Sequence, residues 1–311
     1  MSIKKIEISF AVKLFVTIFL MIFFFVLLGT NTTKQSDILT SSFLDLNRNR
    51  IVQKLPVIED EAITNKPGIN DVYDYEAVKQ YILSVFGASI PFEWGEKITG
   101  VKSRLNTNDK IIALTFDACG GSGGSGYDKE LIDYLKTSQI SATLFLSGSW
   151  VDKNKEIAKD LSQDPLFEIE NHGLTHKPCS INGKSAYNIL GTKNIGEVVD
   201  EIEKNAKKIE AITGKKTSFY RSGTAYYDEV CVAIANELGY QVAGFSIAGD
   251  GGAKFSIDQI KKTLSRATPG SIFLFHMNHP QGKTFEGIKE TLPILKDQGY
   301  SFVRLSEFPL Q

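Results

Sequence analysis

From about residue 108 onward, the chain alternates apolar runs of strand length with stretches of helical periodicity, and this alternation restricts the fold more than any other feature. The predicted strands are Ile111–Phe116, Ala142–Ser147, Phe167–His172, Ser218–Ser222, Gln241–Ile247, Ser271–His276 and Phe302–Leu305. The predicted helices lie between them, at about 127–138, 153–163, 196–213, 226–238, 256–267 and 284–297. Strands and helices in this order predict a parallel α/β fold.

Polar side chains stand at or just beyond the ends of several predicted strands. They are Asp117, His172, Arg221, Asp250 and His276. Groups from separate strands converge only where the sheet is curved or closed, and in barrels of this class the functional groups gather at the C-terminal strand ends. We therefore expect a barrel-like sheet with one site at that end.

All four histidines fall in two short pairs, His172 with His176 and His276 with His279. A single histidine is most often a satisfied core or surface residue, but the pairing of all four favours a shared site. The spacing of the first pair is one turn of a helix, which predicts two rings facing the same point. Such a pair suits a divalent metal ion.

The N-terminal region differs from the rest of the chain. Lys4, Lys5 and Lys13 precede an uncharged apolar run, Leu14–Gly29. This order predicts an export segment over residues 1–30, either a signal peptide or an uncleaved membrane anchor. The run has 16 residues, against about 20 for a full span. We expect an exported protein that is periplasmic, membrane-anchored or secreted, with membrane contact through this segment.

The remaining sequence divides into an arm or linker over residues 31–104 and a larger domain over residues 105–308. The arm is polar and irregular except for a predicted helix at Asp71–Phe86. Charge is nearly balanced, with 35 Lys and Arg residues against 36 Asp and Glu residues. No basic stripe is visible, so the sequence gives no support for nucleic acid binding. The oligomeric state is left open.

Five sequence segments, taken in order, resemble the polysaccharide deacetylase family, also known as the NodB homology domain or carbohydrate esterase family 4. The segments are Thr115-Phe-Asp117, His172-Gly-Leu-Thr-His176, Arg221, Asp250 and Leu274-Phe-His276. The resemblance covers residues 105–308. It implies a distorted (β/α) barrel of about seven parallel strands, and removal of N- or O-acetyl groups from glycans.

The resemblance also implies a divalent metal held by His172 and His176. Zinc is the first expectation, with cobalt, nickel or manganese as alternatives. The family usually has a second aspartate as a metal ligand, but this chain has Ala118 there. Candidates for the missing ligand are, in order, Asp117, Glu170 and Cys119, the last as a soft thiolate.

Roles in catalysis follow from the same resemblance. Asp117 resembles the general base and Arg221 the residue that orients it. His276 resembles the general acid and Asp250 its carboxylate partner. A backbone N–H near Thr224 would complete the oxyanion site. Amide hydrolysis needs these parts: an activated water, a stabilised oxyanion and a protonated leaving nitrogen.

Several features have two interpretations. Cys119 and Cys179 form a disulfide or remain free thiols. The run Gly120–Gly126 is a flexible connector or a glycan-contacting loop. Asn278 and His279 contact the site or only the surface. Trp94 and Trp150 either stack on sugars or are buried. Tyr226 and Tyr227 are candidates to replace aromatic residues that the family usually has and this chain lacks.

Two functional alternatives stay open beside an exported, metal-dependent polysaccharide deacetylase. The loss of the second aspartate would suit a non-catalytic glycan-binding relative without a metal. A hydrolase of another carbon–nitrogen bond, not a peptide bond, would also suit the fold, because fold does not fix function.

Overall fold

The computed structural model describes residues 74–311. The predicted export segment, and the part of the arm before residue 74, lie outside the described residues. Within the described part of the chain, none of the helices has the length and apolar character that a membrane crossing requires.

A curled, parallel sheet forms the centre of the domain. Its strands are β1 Ile111–Ala118, β2 Ala142–Leu146, β3 Phe167–Asn171, β6 Phe219–Tyr220, β7 Gln241–Val242, β8 Ile247–Ala248, β9 Ile272–His276 and β10 Ser301–Val303. The order is β7-β6-β3-β2-β1-β9-β8, and β10 pairs with the first residues of β1. The predicted distorted barrel of parallel strands is confirmed.

One predicted strand, Gln241–Ile247, is in fact two. Its first residues form β7 beside β6, and its last residue begins β8 beside β9, at the opposite end of the strand order. The four residues between them span at most about 17 Å. The two edges of the sheet must therefore lie near each other, which is why the sheet is curled like an incomplete barrel.

Helices surround the sheet at the predicted places. They are α1 Tyr75–Phe86, α2 Lys129–Thr137, α3 Gly148–Lys153, α4 Lys155–Gln163, α5 Ile195–Thr213, α6 Glu229–Glu237, α7 Ile257–Leu264 and α8 Thr284–Asp297. The helix predicted at 153–163 begins earlier and is divided at Asn154 into α3 and α4. A hairpin that the sequence analysis missed, β4 Ser185–Ala186 with β5 Ile189–Leu190, follows β3.

Strand β1 separates two apolar clusters. Ile112, Leu114, Phe116 and Ala118 are fully buried in the cluster that includes residues of α2 and α8. Ala113 belongs to the other cluster, which also contains Val78 of α1 and residues of α5 and α6. Burial of each large aliphatic or aromatic side chain contributes about 1.5–3 kcal/mol. Because side chains alternate along β1, one set faces the helices and the other faces the inside of the barrel.

Candidate active site

Asp117 and Arg221 form a buried ion pair at the C-terminal end of the sheet. Arg221 Nη1 donates to Asp117 Oδ1 at 2.7 Å and to Thr115 Oγ1 at 2.8 Å. Its Nε and Nη2 donate to the carbonyl oxygens of Ala243 and Gly244, each at 3.0 Å. Pairing and hydrogen bonds of this kind offset the free-energy cost of burying a charge. The arginine thus holds one carboxylate oxygen and leaves the other, Oδ2, facing the site.

The Asp117 carboxyl is held in its ionised form. Burial by itself would raise its pKa, but the positive charges of Arg221, His172 and His276 together keep that pKa below its ordinary value. Asp117 Oδ2 lies 3.6 Å from His172 Nε2. An ionised carboxylate at this position can accept a proton from a water molecule.

His172 and His176 face each other, but not from a helical turn. Their ring centroids are 5.0 Å apart at an interplanar angle of 74°. The predicted helical turn between them is wrong, because Gly173 and His176 adopt left-handed φ angles of 78° and 61°. Gly173 is required here, since a Cβ atom on it would lie 2.8 Å from Glu201 Oε1. The rings therefore meet across a tight loop after β3.

Two polar residues of α5 hold this loop, and the sequence analysis missed both. Glu201 accepts from the backbone N–H groups of Thr175 and Lys177 at 2.8 and 3.1 Å. Asn205, one turn further along, donates to Asn171 Oδ1 at 2.7 Å. Glu201 and Asn205 are buried on the inner face of the helix. Polar residues at a spacing of four on such a face are the signal that could have found them.

The His172 ring is oriented by the backbone of Arg221. His172 Nδ1 lies 3.0 Å from the Arg221 carbonyl oxygen, which can only accept, so Nδ1 carries the proton. When the ring is neutral, this tautomer leaves the lone pair of Nε2 available to a metal ion. The nearest sulfur, Cys119 Sγ, lies 3.9 Å from that Nε2. The ligand atoms of Cys119, His172 and His176 all lie within 4.8 Å of one another. Two imidazoles and a thiol are a donor set that fits zinc.

Glu170, a candidate ligand from the sequence, is engaged elsewhere. Its Oε2 accepts from the backbone N–H groups of Ser218 and Phe219, at 2.9 and 2.7 Å. These donors stand at the start of β6, whereas the histidine pair follows the end of β3. The ranking of Glu170 above Cys119 is therefore wrong.

His276 and Asp250 form a second charged pair beside the first. His276 Nδ1 lies 2.9 Å from Asp250 Oδ1, and the other carboxylate oxygen accepts from the His276 N–H and from Thr284 Oγ1. Burial would lower the pKa of His276, but Asp250 holds that pKa well above its ordinary value. His276 stands opposite Asp117 in the register of β9 and β1. A proton donor and a proton acceptor thus sit on neighbouring strands.

Backbone strain accumulates where the chain leaves β6. Thr224 and Ala225 adopt φ angles of 76° and 55°, which are uncommon for residues with a Cβ atom. A Cβ atom on Gly223 would lie 2.1 Å from the carbonyl carbon of His176, so this segment packs directly against the histidine loop. Left-handed residues of this kind cluster at functional sites. The backbone near Thr224 therefore adjoins the histidine pair, where the sequence analysis expected an oxyanion donor.

The glycine-rich segment after β1 is anchored in its second half. Asn278 Nδ2 donates to the Gly124 carbonyl at 2.8 Å, and Trp150 Nε1 donates to the Gly126 carbonyl at 2.7 Å. These bonds hold the second half of the segment, whereas residues 121–123 are exposed, and the flexibility of the loop stays a prediction. Trp150 is fully buried, whereas His279 is partly exposed with its Nδ1 3.5 Å from a side-chain nitrogen of Gln281.

The three cysteines form no disulfide with one another. Cys119, Cys179 and Cys231 are all free. Cys179 and Cys231 are both buried. The alternative of a Cys119–Cys179 disulfide is therefore wrong, and Cys119 stands with the histidines instead.

A row of aromatic side chains extends from the strained segment toward the surface. The ring centroids of Tyr226 and Trp94 are 5.7 Å apart, and those of Tyr226 and Tyr187 are 5.5 Å apart. Tyr187, in the turn of the β4–β5 hairpin, is 68% exposed. We call Trp94, Tyr187 and Tyr226 the aromatic platform. Tyr227, by contrast, is buried, and its hydroxyl accepts from the Ser222 N–H.

Comparisons with known proteins indicate the same family as the sequence resemblance. Residues 104–243 match the family model described as polysaccharide deacetylase. The chain is 28% identical over 210 residues to the peptidoglycan-N-acetylmuramic acid deacetylase PdaA of Bacillus subtilis, covering 65% of this chain and 72% of the relative.

Two solved structures similar to this chain are of one pseudoenzyme and its mutant. One is a carbohydrate esterase family 4 pseudoenzyme from Bacillus anthracis, with 26% identity, a TM-score of 0.55 and coverage of 66% of this chain and 67% of that one. The other is a mutant of that pseudoenzyme with restored enzymatic activity, at 27% identity, a TM-score of 0.55 and coverage of 66% and 70%.

The enzyme class predicted from the sequence, a hydrolase of carbon–nitrogen bonds other than peptide bonds, is the class of the family's deacetylases. The parallel, curled sheet and the ordered set of site residues point the same way. Residues 104–243 are therefore similar to polysaccharide deacetylase domains, and the related solved structure belongs to carbohydrate esterase family 4, as the resemblance in the sequence implied.

Proposed function

We propose that this protein is an exported, metal-dependent deacetylase that hydrolyses acetyl groups on an N-acetylated glycan of the cell envelope. One observation carries the proposal. Asp117, held by Arg221, and His276, held by Asp250, stand opposite each other on β1 and β9. An oriented base beside an oriented acid is what amide hydrolysis requires.

The chain's own residues divide the reaction between them. Asp117 Oδ2 accepts a proton from the attacking water while the oxygen of that water bonds to the acetyl carbon. His276, kept protonated by Asp250, gives a proton to the nitrogen as the carbon–nitrogen bond breaks, so that acetate and a free amine leave. The backbone near Thr224 is positioned to donate to the oxyanion.

A divalent metal would be held by His172 and His176, and zinc is the metal we expect. When bound, such an ion lowers the pKa of water and polarises the acetyl carbonyl. The fixed Nδ1 proton of His172 supports this assignment, because the opposite nitrogen is then a ready ligand.

Peptidoglycan is the substrate class that we propose. The Bacillus subtilis relative is named as a peptidoglycan deacetylase. Exposed aromatic rings such as Tyr187 present the flat apolar faces on which sugar rings pack. The positively charged and apolar N-terminal sequence, residues 1–30, supports export to the compartment where this polymer lies.

Acetate release is the direct test. Purified full-length protein, supplied with zinc, is incubated with peptidoglycan fragments and with N-acetylated chito-oligosaccharides, and free acetate is measured. We expect release that is abolished in Asp117→Asn and in His276→Ala, each shown to be folded by circular dichroism. No acetate from any of these glycans, with the metal stoichiometrically bound, would refute the proposed activity.

A non-catalytic glycan-binding protein is the second candidate. It is favoured by Ala118, where the family has an aspartate, and by the likeness to a pseudoenzyme of the same family. This candidate predicts glycan binding in a pull-down without acetate release, at any metal concentration. The same two measurements therefore separate the two functions.

A further inference from the structure

Position 118 of this chain faces away from the site. In β1, Thr115 and Asp117 point to the inside of the barrel, where both contact Arg221. Phe116 and Ala118 point the other way and are fully buried in the apolar cluster between the sheet and its helices. Side chains of a strand alternate between the two faces. A ligand at position 118 would therefore have to leave the strand geometry that this chain adopts.

The next inward position after Asp117 is Cys119. The Ser147 hydroxyl donates to the Cys119 carbonyl at 2.6 Å and fixes the backbone there. Gly120 turns the chain immediately afterwards with a φ of 75°. A Cβ atom on Gly120 would lie 2.6 Å from the backbone nitrogen of Trp150. These constraints hold the thiol beside His172, with Sγ 3.9 Å from Nε2.

The distances fit a metal site that needs only a small contraction. Zinc–sulfur and zinc–nitrogen bonds of about 2.3 and 2.0 Å, at a tetrahedral angle, place sulfur and nitrogen about 3.5 Å apart. The ligand atoms of Cys119, His172 and His176 already lie within 4.8 Å of one another. Among the residues that the structure describes, this is the set found with three such side chains in metal-binding proximity.

The competing carboxylates are less suitable. One oxygen of Asp117 is bound to Arg221, and the proposed reaction uses the other as a base. Glu170 accepts two backbone N–H groups at the start of β6. Glu201 lies beside the histidine loop, but its carboxylate accepts from the backbone N–H groups of Thr175 and Lys177. Cys119 is therefore the anionic ligand type within 4.8 Å of both histidines.

We propose that Cys119 is the third protein ligand, as a thiolate, in a Cys-His-His metal site that replaces the missing aspartate by a shift of one residue along the chain. A thiolate favours zinc and cobalt over harder ions such as magnesium and manganese. The inference concerns the metal of the proposed function, but metal binding can be measured without deacetylation.

Cobalt provides the sharpest test. Full-length protein is loaded with Co²⁺, its metal content is measured by elemental analysis, and its absorption spectrum is recorded. We expect about one equivalent of cobalt and a near-ultraviolet thiolate-to-cobalt charge-transfer band. In Cys119→Ser the band disappears and affinity falls at least about 100-fold, since even outer-shell changes cost about 10–100-fold.

Two substitutions to aspartate form a matched pair. Cys119→Asp places a carboxylate at the inward position, so it should retain stoichiometric cobalt without the charge-transfer band. Ala118→Asp, made in the Cys119→Ser background, should not restore affinity, because its carboxylate enters the apolar cluster. Restoration by Ala118→Asp, with the protein still folded, would overturn the shifted-ligand proposal. So would stoichiometric cobalt in the parent without the band.

The outcomes separate this inference from the proposed function. If the parent protein binds cobalt and shows the band but releases no acetate, Cys119 is supported as a ligand and the deacetylase proposal is refuted. If Cys119→Ser retains the metal and releases acetate at the parental rate, Cys119 is refuted as a ligand and the deacetylase proposal is supported.

Discussion

Arg221 and Asp117 form a 2.7 Å ion pair in which the side chains are only 0% and 4% exposed. The carbonyl oxygen of the same arginine accepts from His172 Nδ1. One residue thus orients both the proposed base and a proposed metal ligand, so changes at Arg221 should affect stability, metal binding and catalysis together.

Arg221→Met should lower the free energy of unfolding by about 3–5 kcal/mol, because it leaves a buried carboxylate without its counter-charge. Urea unfolding at neutral pH measures this change. Lys261→Met is the matched control: it removes a cation from the exposed 2.8 Å pair with Glu290 and should change the free energy of unfolding far less. Equal losses in the two variants would contradict the importance of the buried pair.

Asp250→Asn should lower kcat by about 10²–10⁴-fold, the usual contribution of general acid catalysis. Asp250 raises the pKa of His276, so without the carboxylate the imidazolium loses its proton at lower pH. The alkaline limb of the pH–rate profile should therefore move to lower pH. Thr284→Val, which removes one hydrogen bond to Asp250, should leave that limb nearly in place.

Glu170→Gln should make the protein less sensitive to rising pH. Burial, followed by the nearby Glu168 charge, raises the pKa of the Glu170 carboxyl well above its ordinary value. The folded state then keeps this proton to higher pH than the unfolded chain does, so stability falls as pH rises between the two pKa values. A glutamine oxygen can still accept from Ser218 and Phe219.

The comparison is made by urea unfolding at several pH values. The advantage of the Glu170→Gln variant over the parent should be absent below the ordinary glutamate pKa and should grow toward neutral pH. A constant difference across the whole range would show that ionisation of Glu170 is not the cause.

Tyr187→Ala should raise KM for polymeric substrate by up to about tenfold, which corresponds to about 1.4 kcal/mol, with kcat unchanged. The reason is that the ring is exposed in the hairpin turn and makes none of the described contacts with Asp117 or His276, so we expect it to contribute binding equally in ground and transition states. Tyr187→Phe keeps the ring and loses only the hydrogen bond to Glu96. Identical kinetics for the parent and both variants would exclude the aromatic platform from substrate binding.

The sequence predicted most of the strands, and it predicted that Asp117 and His276 share one end of the sheet, because strand periodicity and parallel order are local signals. It did not predict the loop between His172 and His176, which depends on contact between Gly173 and Glu201 of a distant helix. The sequence placed Cys119 last among the candidates for the missing ligand, because its position beside the histidines depends on where β1 ends and Gly120 turns.

The gap between β7 and β8 is bridged by the Arg221 guanidinium, which binds the carbonyl oxygens of Ala243 and Gly244 between these edges. A side chain thus closes the barrel where strand pairing stops. An evolving chain that gave up deacetylation would still need this arginine to hold its architecture together. Retention of Arg221 in a relative is therefore weak evidence of chemistry, because its structural role alone would preserve it.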